Sequence, residues 1–123
     1  MNNIELVKLA YESFGKADME TFKSLLSDQF VFKVPGEYSH AGVFNGADDV
    51  IVNCFSKLKQ NIPSFHVTPV QFWESGDTVF VKVELKSDDM LTDGLHMHVV
   101  SDGKAQSFEA FEDTQAIAKA VKS

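Results

Sequence analysis

Residues 78–86 read T-V-F-V-K-V-E-L-K, and this stretch decides the fold. Val79, Val81, Val83 and Leu85 alternate with Phe80, Lys82, Glu84 and Lys86, the period of a strand with one dry face and one partly wet face. Turn signals stand on either side of it: Gly76-Asp77 before, the Asp88-Asp89 to Gly94 stretch and Asp102-Gly103 after. From Phe65 onward the sequence therefore predicts four consecutive antiparallel strands. Asp113 then caps a short C-terminal helix that holds Ile117 and Val121.

Upstream of Phe65 the period changes. Ile4, Val7, Tyr11 and Phe14 recur at the three-and-four spacing of one helical face, with Gly15 where a C-cap belongs. Asp18 is placed to cap a second helix whose stripe is Met19, Phe22, Leu25 and Leu26, stopping at Ser27-Asp28. Phe30, Val31, Phe32 and Val34 read as a strand ended by Pro35-Gly36, and the loop through Gly42 and Asn45-Gly46 reads as an irregular connection. A third helix starts near Asp48 and Asp49 and buries Ile51, Cys54, Phe55 and Leu58; acids at its start and Lys57 and Lys59 at its end suit the helix dipole. The expected class is α+β, a single domain over residues 1–123, in which a curved mixed or antiparallel sheet wraps around three helices beside the short C-terminal one.

Composition narrows the function. The chain has 123 residues, 44% hydrophobic with eleven Phe, enough to bury one core without metal or disulfide staples. A net charge of −7 repels phosphate backbones, so nucleic acid is not an expected partner. The start M-N-N-I-E-L-V-K lacks an apolar signal core, and no apolar run approaches the ~20 residues of a membrane span. A cytoplasmic protein without a membrane partner is the expectation. Cys54 stands alone and is expected to pack a helix, which leaves no disulfide and no cysteine-based zinc cage.

Three stretches carry a resemblance: Y-E-S-F-G-K-A-D from Tyr11 to Asp18, V-P-G-E-Y-S-H-A-G-V-F-N-G from Val34 to Gly46, and the pair S-G-D-T-V-F-V and S-D-G-K in the sheet. With the order helix-helix-strand-helix and four strands, the chain resembles the nuclear transport factor 2-like superfamily, in particular its SnoaL-like branch of polyketide cyclase and ketosteroid isomerase relatives. The resemblance implies a cystatin-like cone whose concave sheet face and helices enclose a pocket, commonly in a homodimer joined through the convex sheet face. It implies no single reaction, because the superfamily holds cyclases, isomerases, epoxide hydrolases and non-catalytic modules.

Family positions fall on this chain as follows. The isomerase's general base is a carboxylate just before the proline that ends the first strand, and here that position is Val34. Its helix-one tyrosine aligns one residue from Tyr11, for which core packing and a hydroxyl at the pocket both stand open. Its second acid falls near His96. If Asp102-Gly103 is a two-residue hairpin turn, Ser101 faces Lys104, and counting outward sets His98 opposite Ser107 and His96 opposite Glu109.

Two readings of that hairpin compete. Simple alternation buries Leu95, Met97, Val99, Phe108 and Ala110, leaving the histidines in solvent. The family pattern puts His96, His98, Val100, Glu109 and Phe111 in the pocket. Under the second reading, His96 and Glu109 form a candidate acid-base pair for enolising or protonating a carbonyl compound, because the anion stabilises and orients the imidazole. Tyr11, Phe32, Val34, Tyr38, His40, Phe55, Trp73, His98 and Phe111 are then the candidate ligand-binding residues, with the rings favouring a small apolar or aromatic molecule. His96, His98 and Glu109 also offer a cation three donors, but no family precedent supports this and no metal site is assigned. No nucleotide loop or nucleophile motif is present, so a cofactor-free, isomerase- or cyclase-type activity is the expectation. A non-catalytic binding or dimeric interaction module, favoured by Val34, is the alternative.

Overall fold

A computed structural model describes residues 1–122. Helix α1, Asn3–Gly15, opens on a capping box in which Glu5 N donates to Asn2 Oδ1 at 2.8 Å and Asn2 N to Glu5 Oε1 at 3.0 Å. Its expected glycine cap is replaced: Gly15 lies inside the helix, and Ala17, at φ 55°, takes the left-handed turn. Asp18 caps α2, Met19–Ser24, by accepting from Thr21 N. This helix is shorter than its stripe implies. Leu26 is already in strand β1, Leu26–Val34, beside Ala105, whose N–H donates to Leu25 O at 2.8 Å.

The loop read as irregular contains a strand, β2, Gly42–Asn45, paired antiparallel with β1. It is four residues long and buries only Phe44, too little for a visible alternation. The following helical stretch runs as α3, Ala47–Asp49, a π-helical segment, Val50–Phe55, and α4, Ser56–Asn61. Strands β3, His66–Ser75, β4, Thr78–Ser87, β5, Met90–Ser101, and β6, Lys104–Glu112, follow, then α5, Thr114–Ala120, capped by Asp113 through Ala116 N. Residues 90–94, expected within a turn, belong to β5; only Asp88 and Asp89 turn.

The six strands form one sheet in the order β2-β1-β6-β5-β4-β3, with β1 and β6 parallel and every other pair antiparallel. Val79, Val81, Val83 and Leu85 of β4 are all fully buried on its inner face, as their alternation predicts. Each such side chain contributes about 1.5–3 kcal/mol relative to exposure, so this one strand anchors much of the core. Leu6 and Val7 of α1, Val50, Cys54 and Ile62 complete the core on the inner side. The outer face carries a different row: Trp73, Phe80, Met97 and Glu109 lie side by side across β3, β4, β5 and β6. Among the described residues no helix is long and apolar enough to cross a membrane.

Candidate functional site

Strand period two fixes the histidines. His96 pairs with Val81 and His98 with Val79, so both point to the inner face, where they are 5% and 7% exposed. The hairpin turn is as counted, with Ser101 opposite Lys104. Beyond it the register slips by one residue: Val100 pairs with Ala105 but Val99 pairs with Ser107, leaving Gln106 as a bulge.

That one residue reverses β6. Glu109 faces Met97 on the outer face, and Phe111 faces Leu95 there, 51% exposed. Neither reaches the pocket, so the expected His96–Glu109 pair does not form and no cation can be shared by His96, His98 and Glu109. Phe108, Ala110 and Glu112 point inward instead. Glu112, opposite Gly94 and with its side chain only 10% exposed, places Oε2 2.7 Å from His96 Nε2.

Tyr11 reaches the same place from α1. Its ring lies nearly parallel to His96, at 5.9 Å and 6°, and edge-on to His98 at 5.4 Å. The hydroxyl sits 2.7 Å from His96 Nδ1 and 2.8 Å from His98 Nε2. A phenol has one hydrogen, so it donates to one ring and accepts from the other. A neutral His96 that donates Nε2–H to the Glu112 carboxylate takes its Nδ1 hydrogen bond from Tyr11, which then accepts from His98 Nε2–H. Every bond in the line Glu112, His96, Tyr11, His98 is then satisfied. Burial, reinforced by the Glu112 charge, raises the Tyr11 pKa and keeps the phenol protonated; burial, then His96, lowers His98 to about 3.

This line borders a cavity of about 100 Å³. Of the candidate residues, Tyr11, Phe32, Val34, His40, Phe55, His96 and His98 line it. Tyr38 stands behind His40, ring on ring at 4.3 Å, and its buried hydroxyl has no hydrogen-bond partner among the described residues. Trp73 does not belong to the site: it pairs with Phe80 on the outer face and is 45% exposed. Cys54, expected only to pack a helix, also borders the cavity, where burial lifts its thiol to about 12.

Residues 7–112 match the SnoaL-like domain family. The chain belongs to that family. Solved structures similar to this SnoaL-like domain include an NTF2-like protein of unknown function from Burkholderia pseudomallei, at 21% identity and a TM-score of 0.85, covering 100% of this chain and 99% of that one. TerC, co-crystallised with polyporic acid, is similar at 23% identity and a TM-score of 0.84, over 96% of each chain. Bal32a, from a soil-derived mobile gene cassette, reaches a TM-score of 0.88 at 17% identity, covering 98% of this chain and 96% of that one. At such identities the likeness is one of fold. No curated protein matches the sequence.

Proposed function

We propose that this SnoaL-like domain admits a small, largely apolar molecule to its cavity and moves a proton on it without a cofactor, Glu112 acting as the acid-base group. The line of hydrogen bonds from Glu112 through His96 and Tyr11 to His98 carries this reading, because it ties an otherwise apolar cavity to one carboxylate. Glu112 spends Oε2 on His96, which leaves Oε1 for the ligand. A base must lie within hydrogen-bond reach of the proton it takes, and a side chain locked by its neighbours holds that distance.

Volume limits the ligand. A cavity of about 150 Å³ holds a benzene ring, so about 100 Å³ admits roughly four or five non-hydrogen atoms. A neighbouring groove bordered by Phe14, Phe55, Leu58, Phe65 and Val67, which also border the cavity, offers room for an apolar extension.

The test is hydrogen exchange. In deuterium oxide the protein should accelerate replacement of the C–H hydrogens next to the carbonyl of 2-butanone, followed by proton NMR, and Glu112→Gln should remove the acceleration. Binding without any acceleration over buffer would instead favour the second reading, a ligand-binding module. Val34 supports that alternative, since it borders the cavity where related isomerases carry their base.

We also propose that two copies associate through the outer sheet face. Trp73, Leu95 and Phe111 are exposed there, with Leu95 and Phe111 directly paired. Sedimentation should show a dimer that Leu95→Lys dissociates; a wild-type monomer at high concentration removes the proposal.

A further inference from the structure

His40, in the loop between β1 and β2, borders the same cavity as the hydrogen-bonded line already described. Its surroundings fix it unusually well. Tyr38 covers one face of its ring at 4.3 Å and 21°, and Tyr38 itself lies over Gly36, where a Cβ would come within 2.4 Å of the phenol ring. Gly36 also has φ 112°, so only glycine suits that turn. The Cys54 thiol donates to His40 O at 3.4 Å and ties the loop to the π-helical segment.

The imidazole nitrogens are not equivalent. Asn61 Nδ2 lies 2.9 Å from Ser39 Oγ and 3.0 Å from His40 Nδ1, so its two amide hydrogens go to those two acceptors. An Nδ1 that accepts carries no hydrogen. The ring proton is therefore on Nε2, and among the described residues Nε2–H has no protein partner. His40 is 4% exposed and borders the cavity, which leaves Nε2–H as the ring's free donor there. Burial lowers its pKa to about 4, with Glu112 near enough for its charge to oppose the shift, so the ring is neutral across ordinary pH.

We propose that His40, fixed as the Nε2–H tautomer by Asn61, donates a hydrogen bond to the ligand's oxygen, and that the cavity accordingly takes a small carbonyl compound with a C–H next to the carbonyl. This rests on the proton-transfer reading of Glu112. In the step, the α C–H bond breaks, its proton goes to Glu112 Oε1, and its electron pair moves through the new C=C bond onto the carbonyl oxygen. His40 Nε2–H stabilises the resulting enolate oxygen. Return of the proton from Glu112, at the same or the conjugated carbon, restores the carboxylate and the carbonyl. His40 thus touches the reacting atoms, while Asn61 is a positioning residue.

The probes are 2-butanone and 2-methyl-1-butene, which share a shape but differ in C=O against C=CH2. Both are titrated by NMR against the wild-type protein, His40→Phe and Asn61→Asp. A hydrogen bond in the cavity should make the ketone bind roughly three- to tenfold tighter than the alkene in the wild type. His40→Phe, which keeps the ring stack on Tyr38, should bring the ratio to about one. Asn61→Asp presents an acceptor to Nδ1 and should move the proton there, so the ketone's advantage disappears and long-range proton–nitrogen correlations report the exchanged tautomer.

Equal binding of ketone and alkene to the wild type overturns the role of His40 and leaves the cavity reading standing. No binding of either probe overturns both. A ketone preference that survives in His40→Phe and Asn61→Asp, or a wild-type His40 protonated at Nδ1, also overturns the assignment.

Discussion

Gly94 lies directly across the β5–β6 ladder from Glu112, and a Cβ on it would stand 3.0 Å from Glu112 Cγ and 3.1 Å from Phe111 O. The missing side chain is what lets Glu112 lie along the inner face toward His96. A backbone carbonyl cannot yield as a flexible chain end does. Gly94→Ala should therefore displace Glu112, cost about 1–3 kcal/mol in urea unfolding, and lower the exchange rate on 2-butanone at least tenfold. An unchanged rate would show that the His96–Glu112 contact does not depend on this gap.

Glu112 and Glu109 separate by face, so their substitutions should separate by effect. Glu112→Gln removes the carboxylate from the cavity and should reduce exchange by roughly 10²–10⁴, the usual range for a general base. Glu109→Gln alters a side chain beside Met97 on the outer sheet and should leave the rate within about twofold of wild type. Equal losses in both variants would mean that the inner position of Glu112 has no bearing on the chemistry.

The reason Glu109 looked right lies in a single residue. Each sequence reading of the last hairpin held for one strand: the family pattern turned His96 and His98 inward on β5, and simple alternation turned Phe108 and Ala110 inward on β6. Gln106 reconciles them, because a bulge changes the facing of everything beyond it. Nothing in S-D-G-K-A-Q-S announces that bulge; it is held by the parallel strand β1, whose Leu26 pairs with Ala105 while Val31 pairs with Ser107. The β4 core was legible because Val79 to Leu85 repeat a pattern over seven residues with no interruption. Trp73 was misplaced by its size: a large ring in a half-exposed strand reads as core, yet its pairing with Phe80 puts it outside. Asn61 gave no signal at all, since its effect on His40 crosses twenty-one residues of chain.

Tyr11 serves two buried acceptor or donor nitrogens with one hydroxyl. Tyr11→Phe keeps the ring against His96 but leaves His96 Nδ1 and His98 Nε2 without their partner. Leaving a buried polar group unpaired costs about 1–3 kcal/mol, so unfolding in urea should move by at least that lower figure. Exchange on 2-butanone should fall as well, because the ring of His96 loses the hydrogen bond at Nδ1 that helps hold it against Glu112. A variant as stable and as active as wild type would remove the hydroxyl from both roles.

Stability should depend on pH through the same buried rings. His98 is held at about 3 and His40 at about 4, both by burial, against an ordinary value of 6.5 in the unfolded chain. Between those limits the unfolded chain binds protons that the folded one refuses, so stability falls as pH falls. It is fully present above about pH 6.5, declines through the interval below, and flattens for these two groups only near their folded values. For His98 the slope is at most about 1.4 kcal/mol per pH unit, and His40 adds in the same direction. Asp18 and Asp49, held low by hydrogen bonds from Thr21 and Asn53, lose their contributions only in the lower carboxylate range, so they do not distort the upper part of the interval. His98→Gln offers Tyr11 an amide that does not titrate. Urea unfolding from about pH 8 down to about pH 5 should show a shallower decline in that variant than in wild type; equal slopes would mean that His98 takes up its proton in the folded chain as readily as in the unfolded one.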